Sequence, residues 1–138
     1  MILGIGIDIV EIARIRKAVG ADKFVQRVFT LDERSYCEQK GIHKIASYAA
    51  RFAGKEAVMK AFGTGMTGGK LKDIEILPDS KGCPRVKLRG QFAQLGETIG
   101  LQDIHVSLTH VKEFAAAQVI LWGGILDENC NGAGNARD

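Results

Sequence analysis

The sequence predicts an α+β fold in which a mainly antiparallel sheet packs against one long central helix. The chain opens with an apolar strand, continues with helices that end in an alanine-rich stretch over residues 44–62, and closes with two hairpins separated by a helix. This order differs from the alternating strand–helix units of a parallel sheet. We expect a single domain over residues 1–124 and a disordered tail over residues 125–138, where few residues can build a core.

Composition limits the class of protein. The 138 residues suit one domain, and apolar and charged fractions of 46% and 25% are those of ordinary globular chains. Three widely separated cysteines support neither a zinc site nor a disulfide framework, which favours a reducing cytoplasmic location. The N-terminus lacks the basic region of a signal peptide, and no apolar run approaches the ~20 residues that cross a bilayer. We therefore expect a cytoplasmic protein without a membrane partner.

The first strand is predicted over residues 2–10, whose β-branched and apolar residues on both faces indicate a buried strand. Gly4 and Gly6 would let another backbone come close. Asp8 interrupts the strand, and a buried aspartate needs a partner. Hydrogen bonds from a nearby turn are the commoner explanation, and a metal ion is the alternative.

Two short helices are predicted over residues 11–19 and 23–29, with Asp22 as the N-cap of the second. Residues 14–27 carry a net charge of +4, which predicts an acidic or phosphorylated partner or a solvated helix face. With only 7% aromatic residues, a stacking platform for nucleic acid is not indicated. Thr30 and the acid three residues later then form a capping box, which predicts a third helix to about Lys40.

The long helix is predicted from Lys44 to Phe62 and places a carboxylate in a mainly apolar stripe. Glu56 shares this stripe with Phe52, and Lys60 follows one turn later. A Glu–Lys pair at i,i+4 is one explanation of the carboxylate. The glycine-rich residues 63–70 keep a second explanation open, because their composition resembles a phosphate cradle, although they lack the spacing of a Walker A motif.

The remaining elements are predicted as a hairpin over residues 73–77 and 84–88, a helix over 91–99, and a hairpin over 104–110 and 114–122. His110 ends the first strand of the last hairpin. Two carboxylates from different elements suit Mg²⁺, which prefers oxygen ligands and often shares phosphate oxygens with a substrate; Mn²⁺ is an alternative.

Three motifs in this order resemble the holo-acyl-carrier-protein synthases, the short bacterial members of the 4′-phosphopantetheinyl transferases. They are GIGIDIVE at residues 4–11, RFAGKEA with KAFGTG at 51–65, and VSLTH at 106–110. The resemblance implies the 4′-phosphopantetheinyl transferase fold. It also implies Mg²⁺-dependent transfer of 4′-phosphopantetheine from coenzyme A to a serine of apo acyl carrier protein. Adenosine 3′,5′-bisphosphate would be released, and the reaction would support fatty acid biosynthesis.

The resemblance assigns roles to particular residues. Asp8 and Glu56 would bind the metal, and Glu56 and Lys60 would be catalytic. The coenzyme A contacts would be Lys60, His110, Lys55, Gly63 and Gly65. The group that takes the serine proton stays open between Glu56 and a metal-bound water beside it.

The resemblance also implies a homotrimer with sites between subunits and a basic surface for the acidic carrier protein. The corresponding residues are Arg14, Lys17, Lys23 and Arg27, although the family's arginines are not matched at Ala21 and Phe24. Two alternatives remain. One is a non-enzymatic module that binds an acidic partner through residues 14–27. The other is a transferase that serves carrier domains of larger synthases, which the shortness of the chain disfavours.

Overall fold

The computed structural model describes residues 1–63 and 69–124 and confirms the α+β fold class. The strands are β1 (Ile2–Glu11), β2 (Ile74–Pro78), β3 (Pro84–Leu88), β4 (Leu101–His110) and β5 (Phe114–Gly123). The helices are α1 (Ile12–Val19), α2 (Asp22–Val28), α3 (Leu31–Glu38), α4 (Lys44–Phe62) and α5 (Gly90–Ile99). Single 3₁₀ turns lie at Gly41–His43 and Leu71–Asp73.

The strands form two sheets instead of one. An antiparallel sheet has the order β1-β5-β4, and β2 pairs with β3 in a separate two-stranded sheet. Helix α4 lies across one face of the larger sheet, as predicted. Both predicted hairpins are confirmed, and β4 begins three residues earlier than expected.

Two predicted helix starts have different outcomes. The capping box before α3 is confirmed, with the Thr30 side chain accepting from the Glu33 amide and the Glu33 carboxylate accepting from the Thr30 amide. The N-cap prediction for Asp22 was wrong, because Ala21 occupies that position and Asp22 is the first helical residue. The Asp22 carboxylate instead accepts a hydrogen bond from Gln26 one turn later.

The prediction that both faces of β1 are buried was also wrong. Strand β1 is an edge strand, and α4 covers only one of its faces. Ile5, Ile7 and Ile9 alternate with the covered residues and are 58%, 66% and 65% exposed. Across the sheet, the half-exposed Trp122 extends the same outer face. The larger sheet therefore presents an apolar outer face.

Glycines bring β1 into direct contact with the backbone of α4. A Cβ atom added at Gly6 would collide with the carbonyl oxygen of Ala57, and one added at Gly4 would collide with that of Ala61. The alanines of α4 form an i,i+4 row that is almost fully buried. Because the side chains on both elements are small, the two backbones can approach closely. This approach brings Asp8, on the covered face of β1, beside the last turns of α4.

Within residues 1–63 and 69–124, no helix is both long and apolar enough to cross a membrane. The predicted tail over residues 125–138 lies outside the described residues, as does most of the glycine-rich loop, including Gly65.

Candidate active site

An acidic centre lies where the last turns of α4 meet β1. The Lys60 ammonium donates to the Asp8 Oδ1 atom at 3.0 Å and to the Ile7 carbonyl oxygen at 3.1 Å. The predicted Glu56–Lys60 ion pair is not formed, since among the described residues the ion-pair partner of Lys60 is Asp8. The Lys60 ammonium therefore pairs with the Asp8 carboxylate, which is one of the two predicted metal ligands.

The Glu56 carboxyl group lies one turn before Lys60 and is half-buried. Burial raises the pKa of Glu56 above its ordinary value of 4.5, and the nearby negative charge of Asp8 raises it further, while Lys60 opposes both effects. A carboxylate whose charge is disfavoured by burial and by a second carboxylate is suited to a divalent cation. No cluster of three or more potential metal ligands occurs in the described part of the chain. A metal ion here would therefore need substrate or water oxygens besides Asp8 and Glu56.

The raised pKa of Glu56 predicts how metal-free stability depends on pH. A carboxyl group whose pKa is higher in the folded state stabilises the fold below its unfolded pKa, and this contribution is lost as pH rises through the folded value. Metal-free Glu56→Gln should therefore be more stable than the wild type at pH 7, and the two should converge below about pH 4.5. Thermal unfolding in EDTA at both pH values measures this, with Glu97→Gln on exposed α5 as control. An equal difference at both pH values would contradict the prediction.

Of the two glycines assigned to coenzyme A, Gly63 lies within the described residues. Gly63 ends α4 in the left-handed conformation, with φ at 74°, and its amide donates to the carbonyl oxygens of Met59 and Lys60. It is exposed and lies three residues after Lys60. Gly65 lies outside the described residues, so its assignment stays a prediction.

Lys55 does not fit its predicted role as a coenzyme A contact. Its side chain is fully buried, and its ammonium forms a 2.6 Å salt bridge with the equally buried Glu33. Burial lowers the pKa of Lys55, and the Glu33 carboxylate opposes this shift. Because it points into the interior, Lys55 cannot reach a ligand at the surface, and we leave it out of the binding site.

A second centre is a cleft of about 810 Å³ between the first half of α4, the β2–β3 turn and strand β4. Its lining includes three positively charged side chains, those of Lys40, Arg51 and Arg85. Among the described residues, no carboxylate lines the cleft. Three histidines add to this set: His43, His105 and His110. A concave, cationic lining of this kind suits a ligand with phosphate groups.

Arg51 lines this cleft with Lys40 and Arg85, and none of these three residues was singled out from the sequence as a binding group; Arg51 is the most buried of the three. Its guanidinium is nearly buried, bonds to the Ile76 carbonyl and to Ser47, and stacks 4.3 Å from the Tyr36 ring centre. Its second terminal nitrogen has no acceptor among the described residues. An arginine in an otherwise small and apolar helix face was the available signal, because such a charge is rarely buried without a reason.

The two centres lie at opposite ends of α4. The ring centres of His110 and His43 are 6.3 Å apart, and His43 is the N-cap of α4, whereas Lys60 is in its last turn. A rise of 1.5 Å per residue separates these ends by roughly 25 Å. One copy of the chain therefore does not bring His110 to the phosphates that Lys60 would contact.

The four residues assigned to the carrier protein all lie on the exposed faces of α1 and α2: Arg14, Lys17, Lys23 and Arg27. Between this basic surface and the acidic centre, the rings of Phe24 and Phe52 pack with their centres 5.9 Å apart. Phe52 precedes Glu56 by one turn. The basic surface and the acidic centre thus adjoin on one side of the molecule.

Comparisons with known proteins show to which family the chain is similar. The family model of the 4′-phosphopantetheinyl transferase superfamily matches residues 4–119. The holo-[acyl-carrier-protein] synthase of Ruminiclostridium cellulolyticum is 46% identical over 120 residues, which cover 85% of this chain and 90% of the relative.

Solved structures show the same likeness. A Bacillus anthracis holo-(acyl-carrier-protein) synthase in complex with CoA (3′,5′-ADP) has a TM-score of 0.72 and 41% identity, covering 88% of this chain and 96% of that one. The Neisseria meningitidis synthase has a TM-score of 0.81 and 31% identity over 88% and 99%. The chain therefore belongs to the 4′-phosphopantetheinyl transferase superfamily and, within it, to the holo-[acyl-carrier-protein] synthases.

Proposed function

We propose that this enzyme transfers 4′-phosphopantetheine from coenzyme A to a serine of apo acyl carrier protein and releases adenosine 3′,5′-bisphosphate. The observation that carries the proposal is the cluster of Asp8, Glu56 and Lys60 beside a basic protein surface, in a chain similar to a synthase solved in complex with CoA. The wider role would be fatty acid biosynthesis in the cytoplasm. The domain would span residues 1–124, which the family match over 4–119 supports.

Asp8 and Glu56 would hold a Mg²⁺ or Mn²⁺ ion. When bound, such an ion polarises phosphate oxygens and neutralises charge on the leaving group. The oxygen-only donor set and the raised pKa of Glu56 fit this choice of metal. Such an ion would compete with Lys60 for the Asp8 carboxylate, and the exposed Lys60 ammonium would then be available to a phosphate group.

The protein's own groups then account for the bond changes. The serine oxygen forms a bond to the phosphorus that carries pantetheine, and the bridging P–O bond of the diphosphate breaks. The electron pair leaves with adenosine 3′,5′-bisphosphate, whose new charge Lys60 stabilises. Glu56 is our choice for accepting the serine proton, because its half-buried carboxyl group follows Phe52 by one turn and so lies next to the basic surface on which the carrier would dock.

In a homotrimer, the acidic centre of one subunit could lie next to the basic cleft of another, although the two are far apart within one chain. The exposed isoleucines of β1, with Phe114 and Trp122 on β5, form an apolar sheet face that a second copy can cover. Joining copies in this way would bring the basic cleft of one subunit to the acidic centre of its neighbour. We propose that coenzyme A binds across this junction, with its diphosphate at Lys60 and its 3′-phosphate among Arg51, Arg85 and His110.

Mass spectrometry of an apo acyl carrier protein, incubated with the enzyme, coenzyme A and Mg²⁺, tests the transfer itself. The carrier should gain the mass of one phosphopantetheine arm, and adenosine 3′,5′-bisphosphate should appear in equal amount. EDTA, or a carrier whose acceptor serine is alanine, should stop both. A carrier that binds tightly but keeps its mass would favour the non-enzymatic binding module instead. Modification only of carrier domains from large synthases would favour the alternative transferase.

Mixed trimers test whether two copies share each site. We expect Asp8→Asn and His110→Ala to be weakly active alone. When the two variants are co-expressed with different tags and purified through both, each closed trimer should contain one site with both natural residues, which gives about one third of the wild-type rate. Sedimentation of the same sample should show three chains per particle. A mixed sample no more active than the separate variants would contradict a shared site.

A further inference from the structure

The side chain next to Glu56 ties three parts of the fold together. The ammonium of Lys55 donates to the Val28 carbonyl oxygen at 2.7 Å, to the Glu33 Oε1 atom at 2.6 Å and to the Leu71 carbonyl oxygen at 3.2 Å. A lysine ammonium has three donors, so all of them are used inside the protein. Because Val28 is the last residue of α2, one of these bonds fixes the end of that helix to α4.

The partner carboxylate is held equally well. Glu33 Oε1 also accepts from the Thr30 amide at 3.0 Å, and Oε2 accepts from the Ile76 amide at 2.8 Å. The Thr30 hydroxyl donates to Glu75 at 2.6 Å, and this second carboxylate is itself nearly buried. A buried ion pair is costly unless its remaining hydrogen-bonding capacity is satisfied, and here it is.

A buried ion pair is by itself weak evidence for a contribution to stability. Apolar residues of similar volume can replace buried ion pairs with little loss of stability, so a special role of the pair is better sought in geometry. The geometry here is the position of α2, whose outer face carries Lys23 and Arg27 and whose Phe24 packs on Phe52 of α4. Lys55 thus connects the basic surface to the helix turn that carries Glu56.

We propose that Lys55, with Glu33, is a positioning residue that holds α2 where Lys23 and Arg27 complete the basic surface on which the carrier protein docks. This inference rests on the proposed function, since it assumes a carrier protein on α1 and α2. It assigns Lys55 to docking of the carrier protein, in place of the coenzyme A contact expected from the sequence.

The double variant Lys55→Met/Glu33→Gln is the best test. The single variant Lys55→Met leaves the Glu33 charge buried without its partner and can fail to fold. The double variant removes both charges and keeps similar side-chain volumes. The Val28 and Leu71 carbonyls lose their donor, and glutamine at position 33 can accept from only one of the Thr30 and Ile76 amides. Val58→Ala, a fully buried change on the same helix, serves as a control for a general loss of stability.

We expect the double variant to bind coenzyme A and Mn²⁺ as the wild type does in calorimetric titrations. Its KM for the carrier protein should rise roughly tenfold or more, because a displaced α2 no longer presents its basic residues in place, with a smaller change in kcat. Amide hydrogen exchange over residues 25–29 should become faster. Val58→Ala should lower the melting temperature without changing the KM for the carrier.

Two outcomes would overturn this role. One is an unchanged KM for the carrier in a folded double variant. The other is a loss of coenzyme A affinity as large as the loss of carrier affinity, which would make Lys55 a general structural residue. A wild type that transfers no phosphopantetheine would instead refute the proposed function, so the two failures can be told apart.

Discussion

Replacing Glu56 with glutamine is expected to lower kcat/KM for carrier modification by about 10²–10³-fold, the size of effect seen when preorganised charge stabilisation is lost. The amide keeps the shape of the side chain but removes the negative charge that would hold the metal ion and the group that would accept the serine proton. Steady-state rates with saturating coenzyme A measure this loss. Raising the Mn²⁺ concentration should restore only part of the activity, because metal occupancy can recover and the missing base cannot.

Glu97→Gln is the matched control for this substitution. Glu97 is exposed on α5 and lies outside both centres, so its loss of charge should leave the rate within twofold of the wild type, as surface changes usually have small effects. A Glu56→Gln enzyme with an undiminished rate would show that Glu56 neither holds the metal nor takes the proton.

Replacing Gly6 with alanine should destabilise the protein by about 3 kcal/mol and also weaken metal binding. The added methyl group would meet the Ala57 carbonyl oxygen, which is backbone and cannot rotate away, so β1 must shift from α4. Asp8 is two residues further along the same strand and shifts with it. We expect the melting temperature to fall by roughly 10 °C and the Mn²⁺ affinity to fall with it.

Gly20→Ala controls for the chemical change alone. Gly20 is exposed at the end of α1, has φ at −67°, which any residue adopts, and has only the Lys17 carbonyl oxygen near an added Cβ, at 3.2 Å. This variant should melt near the wild-type temperature. If Gly6→Ala did so too, the close contact of strand and helix would not be what places Asp8.

Local sequence signals were sufficient for most elements. The capping box at Thr30, the alanine row of α4 and the turn residues of both hairpins specify structure through neighbouring residues, and each is found as predicted. The pairing of Asp8 with α4 could be expected from glycines that permit close approach. The ion-pair partner of Lys60 could not be predicted in this way. The i,i+4 rule considers contacts within one helix, whereas Asp8 belongs to strand β1.

The exposure of β1 could not be predicted from one chain. An apolar strand buried on both faces of one chain and a strand whose outer face a second copy would cover in the proposed trimer have the same composition, because both would exclude water. The apolar side chains of Ile5, Ile7 and Ile9 indicate that this face of β1 prefers apolar surroundings. They do not show that the face is buried within one chain, and there it is exposed.

Long-range side-chain contacts were also beyond sequence reasoning. Glu33 was recognised as a capping residue, but its bond to Lys55 joins positions 22 residues apart in the chain. Arg51 and Lys55 are both basic residues on α4, yet one lines a cleft and the other is sealed in the core. The packing of α3 and β2 against α4 determines which of these two side chains lines the cleft and which is buried in the core.

The most direct test of the central claim is a Mn²⁺ titration of the enzyme, followed by electron paramagnetic resonance, with and without coenzyme A. We predict one ion per chain that binds weakly to the enzyme alone and more tightly with coenzyme A, and a loss of binding of at least tenfold in both Asp8→Asn and Glu56→Gln. Wild-type affinity for Mn²⁺ in either variant would contradict a metal site shared by these two carboxylates.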